Sequence, residues 1–339
     1  MIKKNGNIPT WTDPAVPPVQ LPKLVDAAHK ANTKVLISVG GWTGSQTFRK
    51  AFIDWNIEQI KTFKTDGVDI DWEYPGREGE GCNNFDKDND VKNFLVLLKE
   101  MRTAFDKSFK THKELTIAGY VQGFSAESGG SKELTAAIGK ELDRVNIMAY
   151  DINGAWNPLT GPNAPLKAPK NGMSFNSGID FWISQGVPAS KLTGGLGFYG
   201  RSTTATVDMT KTGSLFQKQV QGTPPKGDSD DAPWPNPNCD KAPTGVSGNW
   251  KFRKLLTDGV LTTPLTAAKP WVRTWDKKSA TPWLFNPKTK AFISYDDPHS
   301  IGAKVRSAMK RGISGVMVWE LSQDSEEGDL MKAIQKNLK

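Results

Sequence analysis

DGVDIDWEYPG, residues 66–76, decides how the chain is read. Val68, Ile70 and Trp72 alternate with Asp69, Asp71 and Glu73, and Asp66 precedes the run. Alternation is the period of a strand, in which every second side chain shares a face. One face is then apolar and suited to covering helices. The other carries three carboxyl groups about 6–7 Å apart along the strand. Stability alone would not place acids on one inward face, because several ionised carboxylates cannot persist together in a low-dielectric interior. Such a row shares protons, and its outermost member, Glu73, is expected to hold the raised pKa.

Outward from this stretch, short β-branched runs alternate with longer amphipathic ones, the signature of βαβ units and a parallel sheet. Strands are expected at 34–40, 67–74, 115–121, 144–150, 192–199 and 315–320. Helices are expected at 46–64, 88–108, 131–140, 177–186 and 299–311, with a last one near 326–338. In 88–108, Val91, Phe94, Leu95, Leu98 and Met101 fall on one helical face. The class is α/β, and the rhythm fits a (β/α)8 TIM-type barrel that is N-terminally incomplete, with two strands unaccounted for. Ahead of the first strand, LPKLVDAAHKANT reads as a helix and no strand is visible.

Residues 201–295 break the rhythm. They pass through the Pro-rich GTPPKGDSDDAPWPNPNCD and then give three β-like pieces, PWVRTWD, TPWLF and KAFISYDD. A structureless loop of that length is unexpected in a compact domain, so 201–295 is read as an insertion subdomain with a small antiparallel sheet. Residues 1–200 and 296–339 then form the barrel.

The 339 residues are 37% hydrophobic and 24% charged, an ordinary globular composition. No apolar run approaches the ~20 residues that cross a bilayer, and MIKKNGNIPTW lacks the apolar stretch of a secretory leader. The net charge of +8 comes from scattered lysines rather than a compact basic run, which favours a solvated surface over nucleic-acid binding. Neither a nucleic acid nor a membrane is an expected partner. Two cysteines, Cys82 and Cys239, exclude a disulfide framework and argue against a zinc cluster, though one bridge can form. His29, His112 and His299 are far apart in sequence and read as surface residues.

In such barrels the chemistry sits at the carboxyl ends of the strands. Glu73 is the last acid before Tyr74-Pro75-Gly76; Asp71 lies one layer deeper and Asp69 deeper again. A carboxyl kept protonated near neutral pH, with an ionisable partner behind it, is what protonating a glycosidic oxygen requires. Two other readings stay open: a Mg²⁺ or Ca²⁺ site, and structural pairing with buried Arg or Lys. Aromatic residues recur where strands should end. Trp42 follows SVGG, Tyr150 and Asp151 close MAYD, and Trp319 closes VMVW. Trp156 stands on the loop after the fourth strand, and Tyr199 and Arg201 lie in GLGFYGR. Aromatic faces at a barrel rim suit the apolar faces of sugar rings.

These motifs resemble glycoside hydrolase family 18, the chitinases. DGVDIDWEYPG is similar to the family's DGxDxDWEYP signature, SVGGW to its SxGG motif and MAYD to its MxYD motif. GLGFYGR and VMVWE follow in the family's order, as does YDDP, so the likeness runs from about residue 20 to 339. The resemblance implies retaining hydrolysis of β-1,4-linked N-acetylglucosamine polymers, in which the substrate's own acetamido oxygen is the nucleophile. It implies no cofactor and no metal. Carried onto this chain, Glu73 is the general acid and later base. Asp71 orients the acetamide N–H and shares a proton with Glu73, and Asp69 tunes Asp71. Tyr150 donates to the acetamide. Asp151 contacts the sugar, Met148 packs the pocket and Trp319 lies beneath the distorted sugar. Trp42, Tyr74, Trp156, Tyr199 and Arg201 are secondary substrate contacts.

The resemblance also implies cis Glu73–Tyr74 or Trp319–Glu320 peptides and a secreted protein whose partner is chitin or chitooligosaccharides. Cys82 and Cys239, on the catalytic side of such a barrel, are expected to form a disulfide. Three expectations address the missing strands: residues 1–20 cover the gap, a homodimer closes it, or the natural precursor is longer. Rival functions are a chitin-binding lectin-like relative without turnover, an endo-β-N-acetylglucosaminidase acting on glycoproteins, and a metal-dependent hydrolase. Glu73 counts against the first, and the WEYP continuation, Trp42 and Trp319 favour chitin over the second; sensitivity to a chelator would reveal the third.

Overall fold

The computed structural model describes residues 20–41, 49–79, 83–168, 172–233 and 245–338. The fold is α/β, and the chain divides into two compact units. Among the described residues, one holds those of 20–146 and 182–191; the other holds those of 147–181, 192–233 and 245–338.

The first unit runs α1 (Leu21–Lys30), β1 (Leu36–Gly40), α2 (Arg49–Phe63), β2 (Gly67–Asp71), α3 (Asp90–Ser108), β3 (Glu114–Tyr120) and α4 (Lys132–Glu141). Strand β4 (Arg144–Met148) begins here and ends in the second unit. Pro22 sits in the first turn of α1, where its missing N–H costs nothing. Ser131 caps α4 by accepting from the Leu134 N–H at 3.2 Å. β1, β2 and β3 pair in parallel, with Ser38 and Thr116 both in register with Asp69. Val68 and Ile70 are buried, as are Val91, Phe94, Leu98, Met101 and Phe105 of α3. Leu95, expected on that face, is only half-buried. Trp72 meets Phe94 edge-on at 5.4 Å.

The glycine pair after β1 has a specific cause. Gly40 takes φ +116°, and a Cβ there would lie 2.1 Å from the Asp71 carbonyl oxygen. Gly41 donates its N–H to that same oxygen at 2.7 Å. Only a residue without a side chain lets the backbone close on Asp71 in this way.

The second unit opens with the end of β4 and most of α5 (Phe175–Ser184). It continues through β5 (Leu192–Gly197), β6 (Tyr199–Thr204), α6 (Met209–Thr212), β7 (Asn249–Lys251) and α7 (Phe252–Thr257). A hairpin of β8 (Leu261–Thr263) and β9 (Thr266–Ala267) follows, then β10 (Val272–Asp276), β11 (Thr281–Asn286) and β12 (Ala291–Ser294). α8 (Pro298–Lys310), β13 (Gly315–Trp319) and α9 (Asp329–Asn337) complete it. β13 pairs in parallel with β5, Trp319 opposite Gly197. β10, β11, β12, β6 and β7 form, in that order, an antiparallel sheet. Trp283, Phe285 and Phe292 pack with Ala205, Met209 and Leu215 in its core.

Two expected strands need correction. The run 192–199 is not one strand: β5 stops at Gly197, and Tyr199 opens β6 in the antiparallel sheet, paired with Lys251. Tyr199 and Arg201 therefore belong to that sheet. The run 67–74 ends as a strand at Asp71, so Glu73 and Tyr74 follow the strand rather than lie within it. The six runs expected as parallel strands each contain an observed strand, and all three β-like pieces of the insertion are strands. The segment ahead of α1, on which the expected gap rests, lies outside the described residues, as do Trp42, Cys82 and Cys239.

Candidate active site

The acid row belongs to the first unit. Asp69, mid-strand on β2, is held from β1 and β3, which flank β2, and from β4 beyond β3. Ser38 Oγ on β1 donates to its Oδ2 at 3.2 Å. Thr116 Oγ1 on β3 and Asn146 Nδ2 on β4 both donate to its Oδ1, the latter at 3.0 Å. Asp71, two residues on, shares that face but meets a different environment. Its Oδ1 is buried and accepts no hydrogen bond among the described residues. Burial first, and then the charge of Asp69, push its carboxyl up to about 7.

Glu73 lies two residues beyond Asp71, half-buried, and its peptide bond to Tyr74 is cis. The Tyr74 phenol is hydrogen-bonded to Glu73, and burial followed by the Glu73 charge holds that phenol above its ordinary range. Arg77 stacks over the rings of Tyr120 at 4.0 Å and Tyr74 at 5.0 Å, fixing the tyrosine pair. Asp66 stands outside the row. It accepts from the Val35 N–H at 2.6 Å and meets His29 Nε2 at 2.9 Å, ties that anchor the start of β2. Burial thus raises the Asp71 carboxyl, next in the row to the outermost acid for which the sequence expects a raised pKa.

The second unit gathers most of the other expected residues. Tyr150 follows β4; its ring meets Tyr199 edge-on at 6.0 Å and its hydroxyl lies 3.8 Å from Met317 Sδ. Asp151 adopts φ +54°, and its N–H donates to Asn163 Oδ1 at 3.1 Å. Its carboxylate accepts from Arg201 Nε at 2.6 Å. Burial opposes the Arg201 charge, but Asp151 outweighs it and strengthens the guanidinium's hold on its proton. The same guanidinium faces Trp156 at 5.4 Å and Tyr199 at 5.6 Å. Tyr199 is buried, whereas Trp156 is 48% and Trp319 52% exposed, open enough for an apolar ring face. Met148 ends β4 half-buried, and Trp319 ends β13 before a cis bond to Glu320. Both expected cis peptides are present.

Sequence reasoning missed Thr116, Asn146 and Asn163. The first two carried a faint signal: each is a polar residue alternating with buried Leu115 and Ile117, or Val145 and Ile147, on the two strands that follow β2 in the sheet.

Residues 5–324 match the family model described as Glycosyl hydrolases family 18. A chitinase-like effector of Moniliophthora roreri is 32% identical over 332 residues, covering 91% of this chain and 78% of that protein. Chitinase A1 of Niallia circulans is 31% identical over 350 residues, covering 97% of this chain and 45% of the relative, so this chain spans less than half of that protein. The crystal structure of a chitinase from Rhizomucor miehei superposes with a TM-score of 0.88 at 33% identity, covering 99% of this chain and 92% of that one.

Proposed function

From the premise that the chain belongs to the glycosyl hydrolases of family 18, we propose that it is a chitinase, hydrolysing β-1,4-linked N-acetylglucosamine polymers with retention of configuration. Glu73 protonates the glycosidic oxygen as the substrate's acetamido oxygen attacks the anomeric carbon. It then takes a proton from the water that opens the resulting ring. Asp71 orients the acetamide N–H and exchanges a proton with Glu73, while Asp69 supplies the charge that tunes Asp71. Tyr150 donates to the acetamide; Asp151, held by Arg201, contacts the sugar. Met148, Trp156 and Trp319 offer apolar surface to sugar rings, with Tyr74 and Tyr199 supporting. The observation that carries this reading is the Asp69–Asp71–Glu73 row, in which burial and the charge of Asp69 push Asp71's carboxyl up to about 7.

The likeness to a protein named a chitinase-like effector supports a second reading, carbohydrate binding without turnover. The product pattern from N-acetylglucosamine hexamer, with wild type and Glu73→Gln, separates the two. Hydrolysis by wild type and a loss of at least about 100-fold in the variant, with hexamer binding retained, is the expected result. Equal turnover by the variant refutes the assignment of Glu73, and binding without turnover by wild type selects the second reading.

A further inference from the structure

We infer that Thr116 and Asn146 are positioning residues for the acid row: from the adjacent strand β3 and from β4 beyond it they fix Asp69 as a hydrogen-bond acceptor and so keep the row's proton on Asp71. This rests on the proposed chitinase reading for its catalytic meaning, but not for its geometry.

Three strands each contribute one neutral donor to a single carboxylate: Ser38 from β1, Thr116 from β3 and Asn146 from β4. The donors are not equivalent. A hydroxyl can rotate to accept, so Ser38 and Thr116 alone could serve either protonation state of Asp69. The amide nitrogen of Asn146 can only donate, and it aims at the same Oδ1 that Thr116 reaches. Hydrogen bonds donated to Oδ1 are stronger to an ionised carboxylate than to the neutral acid, so both donors favour charge on Asp69. Thr116 is also 1% exposed, so no water replaces its hydroxyl cheaply. The three groups facing Asp69 from β1, β3 and β4 are uncharged. The ionisable groups nearest along its own chain are Asp71, Asp66 and Glu73, themselves acids. The donors thus fix which member of the row bears charge. The other, Asp71, has a buried oxygen with no donor among the described residues.

The test is the titration of the Asp69 and Asp71 carboxyl carbons by ¹³C NMR in the full chain, without substrate. Two carboxyls this close titrate as a pair with two macroscopic steps. In Thr116→Val, which keeps the shape and removes the hydroxyl, the lower step is expected to move up by about one pH unit. Asn146→Leu should move it in the same direction, and Thr116→Ser should restore the wild-type value. For hexamer hydrolysis the acid limb of kcat should move with that step, while KM stays within about twofold. A purely structural role would lower kcat with the limb unmoved. A lower step unchanged in both Thr116→Val and Asn146→Leu overturns the inference, and a folded Asn146→Leu decides it if Thr116→Val fails to fold. Should wild type not cleave the hexamer, the chitinase reading fails while the NMR titration still decides the role of these two donors.

Discussion

Two regions of this molecule bury carboxylates side by side, and they compensate them differently. Immediately ahead of α8, Asp296 and Asp297 are 2% and 0% exposed. Each has a cation: Lys304 Nζ lies 2.5 Å from Asp296, and Arg273 meets Asp297. Ser300 Oγ adds a donor to Asp296 at 2.6 Å, and Asp297 caps the helix through the N–H groups of His299 and Ser300. On β2, Asp69 has three neutral donors and Asp71's buried oxygen has none among the described residues. Where a cation answers the charge, the carboxylate is structural. Where only neutral donors and a proton answer it, the proton is available for chemistry.

The largest expected effect breaks the first half of that contrast. Lys304 is fully buried; burial pushes its ammonium down and the Asp296 carboxyl up, each toward neutrality, and their mutual attraction opposes both shifts. Lys304→Met leaves Asp296 buried with no cation and should cost about 3–5 kcal/mol of unfolding free energy in urea. Pairing it with Asp296→Leu should recover most of that, because replacing both members of a buried pair is often nearly neutral. A single-variant loss below about 1 kcal/mol would mean that the cation is not what makes this site tolerable.

The second half is tested with opposite sign. An acid whose folded pKa is raised binds its proton more tightly in the native state, so it costs stability as pH climbs past the unfolded value. For Asp71 the cost starts near pH 4 and is complete a little above 7. Asp71→Asn removes it. The variant should match wild type near pH 4 and exceed it by on the order of 2–4 kcal/mol at pH 8, read from urea midpoints across pH. Parallel curves for the two proteins would show that Asp71 does not carry the buried proton.

Much of this was legible in the sequence, and the exceptions have physical causes. Period-2 alternation exposed the acid row, and 3.6 periodicity placed α3 and α8 to within two residues of their observed ends. The break at Phe198 was hidden because GGLGFYG offers no polar punctuation between two strands that join different sheets. Lys304 was invisible as a buried residue because a lysine on a helix is ordinarily read as solvated. The clue was positional, since it lies one turn from Ser300 and beside Ile301 and Val305 on the buried face. The donors to Asp69 were missed for another reason. A hydrogen bond across strands depends on register, and one sequence does not reveal which residues stand opposite each other.

The smallest effect sharpens the contrast within the first unit itself. Asp143 is a carboxylate with both kinds of partner: Arg102 Nη2 at 2.6 Å and His112 Nε2 at 2.7 Å, together with the Leu115 N–H at 2.8 Å. Burial alone would raise its carboxyl, but the Leu115 N–H, His112 and Arg102 outweigh it and hold the pKa below the usual range. An acid with a lowered folded pKa contributes stability above its unfolded value, and loses it as pH falls through the folded value. Asp143→Asn keeps an acceptor for Leu115 but removes the charge facing Arg102. It should cost about 1–2 kcal/mol at pH 7, with the difference from wild type closing below pH 4. Asp71→Asn and Asp143→Asn would then diverge from wild type in opposite directions as pH rises from acid, although both delete one carboxylate from the same unit. If the Asp143→Asn curve instead rose above wild type at neutral pH, a cationic partner would not be what separates structural from proton-bearing carboxylates here.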